Sequence, residues 1–188
     1  MPKPDSVKAL DRILQRWRIA KASPHIPDGA RVLDVGCADG ALFRVLKMRV
    51  AGGVGIDPDL GADREDGGVR FVRGFFPDDL RTDERFDAIT MLAVFEHMDD
   101  DRQRRAAAAC AALLRPGGHV ILTVPEPVVD RIVHLLARFG LVAGMALHEH
   151  HGFEARETPE RFAPGDFALE RHERFQLGVN NLFVLRHR

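Results

Sequence analysis

The run Arg31-Val32-Leu33-Asp34-Val35-Gly36-Cys37-Ala38-Asp39-Gly40 constrains the fold more than any other stretch of the chain. Its apolar front half, bounded by polar residues, has the pattern of a strand buried in a parallel sheet, and the glycines behind it allow a tight turn where backbone approaches a ligand closely. The amphipathic segment Ala41 to Val50 then predicts a helix. Strand, glycine turn and helix together put exposed N–H groups and the positive end of a helix dipole at the carboxyl edge of a sheet. Nucleotide-like ligands bind there in doubly wound α/β folds. Taken alone, such a turn serves many ligands.

The remaining segments follow the same alternation. Ser6 can cap a helix from Val7 to about Ala22, with Val7, Leu10, Ile13, Leu14, Trp17 and Ala20 at helical spacing and Lys8, Arg12, Arg16, Arg18 and Lys21 on the other face. The favoured reading is a helix packed on the sheet edge with a solvated basic side, and the alternative is a lid over the cleft. Pro24, Pro27, Asp28 and Gly29 break it. Val54-Gly55-Ile56-Asp57 predicts a second strand ending in a carboxylate. Asp57 lies 21 residues beyond Gly36, the separation at which a dinucleotide-type site holds a ribose hydroxyl pair with an acid. The polar stretch Asp59 to Gly68 reads as a loop with Asp63, Arg64, Glu65 and Asp66 solvated. Val69 to Val72 and Arg85 to Leu92 predict two more strands, and Ala93 to Met98 the turn after the second of them. Asp99 to Leu114 predicts a helix, and the turn Arg115-Pro116-Gly117-Gly118 leads into a strand at His119 to Val124. Strands alternating with helices imply a parallel sheet covered on both faces.

The tail departs from this order. Val128 to Phe139 is amphipathic and stops at Gly140, and Leu141 to Thr158 is irregular and holds His148, His150 and His151. Phe167 to Gln176 and Asn181 to Leu185 are two strands with so short a link that only antiparallel pairing is open to them. The last is nearly all apolar and its partner alternates charges, which predicts the last strand inside and its partner at the edge. With 188 residues, the expectation is a single domain. A net charge of −1 and a charged fraction of 29% give no global pull toward nucleic acid. Two cysteines, no apolar leader at the amino terminus and no run of membrane-spanning length point to the cytoplasm.

Taken together, VLDVGCADG, the acid of GIDPD, FDAITMLAVFEHM and LLRPGGHVILTVP resemble the successive motifs of class I S-adenosylmethionine-dependent methyltransferases, over roughly residues 28 to 125. The resemblance implies a Rossmann-like, doubly wound, mostly parallel seven-stranded sheet with an antiparallel last strand and helices on both faces. It implies S-adenosyl-L-methionine as cofactor, with residues 1–27 as an amino-terminal helix or lid, 28–125 as the cofactor-binding core and 126–188 on the acceptor side. Asp34, Gly36, Cys37 and Gly40 would pass under the methionine and ribose. Asp57, followed by Pro58, would hold the ribose hydroxyls, while Gly74, Phe75, Leu92 and Ala93 enclose the adenine and the sulfonium end. The chain departs from the family at Ala38, where glycine is usual, and at Phe75, where many relatives carry an acid for the adenine amine. Adenine is then left to stacking and backbone groups, or to Asp78 or Asp79 if the loop folds back.

A sulfonium methyl is already electrophilic, so the protein's task is to hold a nucleophile in line with it and to exclude water. A base is needed only for an acceptor that must lose a proton, and His97, His150 and His151 are the candidates. For His97, a cap on the following helix is favoured over a base role. His119, His134 and His172 read as structural. The cluster around His148 lacks the spacing of a helical zinc motif, since the required second histidine position is Gly152, and no metal is expected. The expected acceptor is a small molecule, with no membrane partner and a monomer or homodimer both open. Two rivals stand beside this reading: a nicotinamide-dependent dehydrogenase, whose G-x-G-x-x-G is broken by Ala38, and a non-catalytic module that keeps the cofactor fold.

Overall fold

The computed structural model describes residues 4–126, 155–162 and 165–188, with side chains from residue 12 onward. Among these, eight strands form one sheet: β1 (Arg31–Val35), β2 (Gly52–Asp57), β3 (Arg64–Asp66), β4 (Val69–Arg73), β5 (Phe86–Leu92), β6 (Leu114–Pro125), β7 (Phe167–Phe175) and β8 (Asn180–His187). Their spatial order is β3-β4-β2-β1-β5-β6-β8-β7. Strands β4, β2, β1, β5 and β6 run parallel, and β8 enters antiparallel between β6 and β7. The last strand is inside and nearly all buried, and its charged partner β7 is the edge, as their sequences lead one to expect.

The sheet has one strand more than the expected seven. Arg64–Asp66, a run of charges that reads as loop, pairs antiparallel with β4 across Gly67 and Gly68, which both have positive φ. All three residues are exposed, so this hairpin is set by its turn and not by apolar alternation. The Arg64 guanidinium covers the Phe71 ring at 4.1 Å. The Arg115–Gly118 turn is absorbed into β6 as an irregularity, since Phe86 and Ala88 of β5 face Leu114 and His119.

Among the described residues four α-helices cover the sheet: α1 (Pro4–Ala22), α2 (Ala41–Leu46), α3 (Asp100–Leu113) and α4 (Thr158–Arg161). The helix expected to reach Val50 ends at Leu46 and passes into a 3₁₀ turn, Lys47–Arg49. On one face Leu33 and Val35 of β1 and Ile89 and Met91 of β5 pack with Ala106, Ala107 and Cys110 of α3. On the other Val32, Ala88 and Ile121 pack with Ile19 and Ala22 of α1 and with Leu42 and Leu46 of α2. Strand order reverses at β1, with β2 on one side and β5 on the other, so a crevice opens at their carboxyl ends.

Helix α1 is turned differently from its apolar stripe. Ile13 is 57% and Trp17 44% exposed, whereas Ile19 and Ala22 are buried. Its last turn meets the sheet core through Ile19 and Ala22, while one turn earlier Gln15 and Arg18 lie over a polar cavity. The expected helix Val128 to Phe139 lies outside the described residues.

Candidate functional site

The turn after β1 is built by three residues in the left-handed region, Gly36 (φ 72°), Ala38 (φ 45°) and Gly40 (φ 79°). A Cβ on Gly36 would sit 2.2 Å from Cγ2 of Val94, and one on Gly40 would sit 2.9 Å from the Phe71 ring. Ala38 tolerates the conformation at a cost of roughly 1 kcal/mol. Five of the turn's amides are engaged within the protein and so are not offered to a ligand as the sequence suggests. Gly36 and Cys37 donate to the Ile56 carbonyl at 2.8 and 3.4 Å, Ala38 to Asp57 at 2.8 Å, Gly40 to the Cys37 carbonyl at 2.8 Å, and Ala41 to Asp39 at 3.2 Å. Asp39 also pairs with Arg44. A pyrophosphate would need those donors, and it would meet the Asp39 carboxylate instead. The turn is a backbone floor and not an anion cradle, and the buried thiol of Cys37, pushed up to about 12 by burial, adds no charge to it.

Asp57 closes β2 with its side chain buried. Its Oδ2 accepts the Ala38 N–H and its Oδ1 the Asp59 N–H, each at 2.8 Å. A carboxylate offers about four lone-pair positions, so two remain for a pair of adjacent hydroxyls held side by side. Pro58 follows as the turn residue. Gly74 donates to the Asp57 carbonyl at 3.2 Å and so joins the end of β4 to the same corner. There the loop does fold back: Asp79 Oδ2 accepts the Phe75 N–H at 2.8 Å, and a Cβ on Gly74 would lie 2.4 Å from that of Asp79. Asp78 is turned away to Arg105. The Phe75 ring is half-exposed, with the Arg102 guanidinium 4.8 Å over it.

Asp34 points to the α1 face, as its alternation with Leu33 and Val35 requires. It is buried, and its Oδ1 accepts the Thr90 hydroxyl at 2.6 Å from the neighbouring strand β5. Burial pushes its carboxyl up to about 7, against the pull of the Thr90 hydrogen bond, and the charge of Asp57 pushes it further up. Asp34, Gly36, Cys37 and Leu92 line a narrow cavity of about 40 Å³ whose opposite wall is Gln15, Arg18 and Ile19 of α1.

The turn after β5 forms the other lip. Ala93 is left-handed (φ 59°) and its N–H crosses to the Thr123 carbonyl at 2.9 Å, which throws Val94 back over Gly36. A 3₁₀ turn, Phe95–His97, follows and is fixed from below by buried Gln103, whose amide donates to the Phe95 and Met98 carbonyls at 3.2 Å each. Glu96 is buried and His97 exposed. The cap on α3 is Asp99, which accepts the Arg102 N–H at 2.8 Å, so His97 does not cap that helix. His150 and His151 lie outside the described residues.

The fold therefore brings Asp34, Gly36, Cys37, Gly40, Asp57, Pro58, Gly74, Leu92 and Ala93 to one carboxyl edge, with Phe75 and His97 at its rim. Sequence reasoning missed Thr90 and took Arg18 for part of a solvated face. The i, i+3, i+4 spacing of Gln15, Arg18 and Ile19 on one helical stripe is the signal that could have found the second. Among the described residues no cluster of His, Cys, Asp or Glu is suited to a metal.

Residues 8–172 match a family model described as a methyltransferase domain. No curated protein matches the sequence. Among solved structures, the fold is similar to a chain from the complex of the Haloferax volcanii Trm112 methyltransferase activator with a methyltransferase (16% identity, 93% of this chain and 88% of that one, TM-score 0.70). It is similar also to the N-methyltransferase NodS of Bradyrhizobium japonicum WM9 in complex with S-adenosyl-L-homocysteine (19% identity, 94% and 86%, TM-score 0.61). The PH0226 protein of Pyrococcus horikoshii OT3 is a third (18% identity, 93% and 91%, TM-score 0.63). At these identities the likeness is one of fold; the matched model covers nearly the whole chain, and it replaces the dehydrogenase alternative that the opening turn had left open. A floor of largely engaged backbone and a buried carboxylate with room for two hydroxyls are compatible with the methyl donor of the matched family, and the chain belongs to the methyltransferase-domain family as an S-adenosyl-L-methionine-dependent enzyme.

Proposed function

We propose that the chain transfers the methyl group to a small-molecule acceptor, with the donor held along the β1–β2–β4 edge and the acceptor admitted past the β5 turn. The observation that carries this reading is the buried Asp57 carboxylate at the end of β2, held by the Ala38 and Asp59 N–H groups with two lone-pair positions open, in a chain of net charge −1. Such a cleft attracts a cationic donor and offers nothing to a polyanion such as RNA. The donor, when bound, supplies a sulfonium methyl that needs no activation. What is left to the protein is positioning and exclusion of water. Asp57 fixes the ribose through its two open lone-pair positions, and Gly36, Cys37 and Gly40 form the floor. Gly74, Phe75, Leu92 and Ala93 border the base and the sulfur. Asp79, folded back beside Gly74, supplies the carboxylate that Phe75 does not.

His97, exposed at the end of its 3₁₀ turn, takes the proton of an acceptor that must lose one, with His150 and His151 as further candidates from the 126–188 segment. Donor and acceptor then sit in line, the geometry of direct displacement. Helix α1 and the turn that follows it cover the donor side. The test is to incubate the chain with methyl-labelled donor and a cell extract split into dialysable and macromolecular fractions. Label should enter the dialysable fraction, and His97→Asn should lower its rate by about 100-fold or more while affinity for S-adenosyl-L-homocysteine stays unchanged. Label confined to protein or RNA would contradict the small-molecule reading.

A further inference from the structure

We infer that the outer flank of α1 and the edge strand β7 form a second ligand site, separate from the donor cleft, for a small planar aromatic carboxylate. Trp17, Ala20 and Lys21 supply one wall, spaced i, i+3 and i+4 on a single stripe of α1. Pro24 and His25 of the 3₁₀ turn Ser23–His25 adjoin it, and Arg171 and Glu173 of β7 complete it. The cavity they line measures about 380 Å³, within the roughly 300–1,000 Å³ of small-molecule sites. It shares no lining residue with the cavity over the glycine turn, which lies on another stripe of the same helix. Trp17 is the part that folding leaves unexplained. The helix docks on the sheet through Ile19 and Ala22, yet the indole stands 44% exposed on the cavity wall. A large apolar ring in that position offers its face to a flat ligand.

The charges around the indole set the sign of that ligand. Lys21 pairs with Oε1 of Glu173, and Arg171 donates to Oε2 of the same carboxylate at 3.2 Å. Two cations share one anion, so the lining keeps a surplus of one positive charge. His25 does not change that balance: burial, then the charge of Arg171, holds its pKa below the ordinary 6.5, and at neutral pH it stands as an uncharged donor and acceptor. The contact with Glu173 uses one of the five N–H donors of Arg171. A guanidinium presents those donors as a fork that fits a carboxylate. A ring laid on Trp17 with its carboxylate between Arg171 and Lys21 therefore matches the site in shape and in charge. Glu173 competes with such a ligand for both cations, and removing its charge should favour binding.

Trp17 is the one tryptophan of the chain, so its indole gives a single side-chain cross-peak in a nitrogen–proton correlation spectrum and reports on the site directly. The experiment follows that peak during titration with 2-naphthoate and, separately, with 2-naphthamide, which keeps the rings and loses the charge. Both titrations are run on the wild type, Arg171→Gln, Glu173→Gln, and Arg16→Gln as an exposed charge outside the cavity. 2-Naphthoate should shift the peak saturably with a Kd of about 1 mM or tighter, and 2-naphthamide should bind about 10-fold more weakly or worse. Arg171→Gln should weaken 2-naphthoate about 5-fold or more, Glu173→Gln should strengthen it about 3-fold or more, and Arg16→Gln should stay within about two-fold of the wild type. The gain in Glu173→Gln is a result that misfolding cannot produce. Saturating S-adenosyl-L-homocysteine should leave the affinity for 2-naphthoate within about two-fold, and displacement would put the ligand in the donor cleft and overturn the second site. An unmoved Trp17 peak, equal affinities for acid and amide, or the absence of opposite effects in Arg171→Gln and Glu173→Gln would overturn it as well. The donor assignment does not depend on any of these outcomes.

Discussion

Burial carries the carboxyl of Asp34 from its ordinary 3.8 up to about 7, the Thr90 hydroxyl pulling against it and Asp57 adding to it. The folded chain thus prefers the protonated acid, and the unfolded chain ionises it near 3.8. Its contribution to stability is fully present below that value, is lost as pH climbs to about 7, and changes no further above it. Urea unfolding of the ligand-free protein should therefore show a decline across that window which Asp34→Asn removes, the variant gaining most on the wild type at pH 8. A slope that persists unchanged in the variant would mean another group is responsible. At Ala38 the left-handed backbone is strained by its Cβ. Ala38→Gly should stabilise the chain by about 0.5–1 kcal/mol, read as a raised urea midpoint with unchanged slope. A lowered midpoint would show that the strain is absent. Asp57 was legible from its distance to the glycine turn, because that separation is set by one helix and two strands. Thr90 was not, since a hydroxyl within an apolar strand carries no sign of which carboxylate it will meet.

The strands read easily because parallel strands are buried on both faces and leave nearly unbroken apolar runs. Charged β3 left no such trace, being held by two glycines in a turn and by pairing with β4. The facing of α1 was misread for a related reason: apolar spacing finds the side that meets a core, and only the last turn of this helix meets the core while the turn before it lies over a polar cavity. The closeness of β1 and β2 is a property of the pair. A Cβ at Gly53 would lie 1.9 Å from the Val32 carbonyl oxygen, backbone that has nowhere to go. Gly53→Ala should cost about 3 kcal/mol or more, or abolish soluble protein, whereas the open position Gly61 should accept alanine with little change in the unfolding midpoint. Equal tolerance at the two sites would overturn the register of β1 on β2.

For the molecule as a whole, the doubly wound order, the inserted last strand and the identity of the donor followed from motifs spread over a hundred residues or so, each weak and jointly specific. The acceptor was not legible, since the family fold fixes how the donor lies and leaves the other side of the cleft to local side chains. Among the described residues no helix is long and apolar enough to cross a membrane. The central claim is that the corner formed by the glycine turn and Asp57 binds the donor through its ribose. Calorimetric titration with S-adenosyl-L-homocysteine, repeated on Asp57→Ala, tests it most directly. Two charge-assisted hydrogen bonds are at stake, so binding at one site should weaken about 100-fold or more in the variant. Equal affinity in the two proteins would contradict the account.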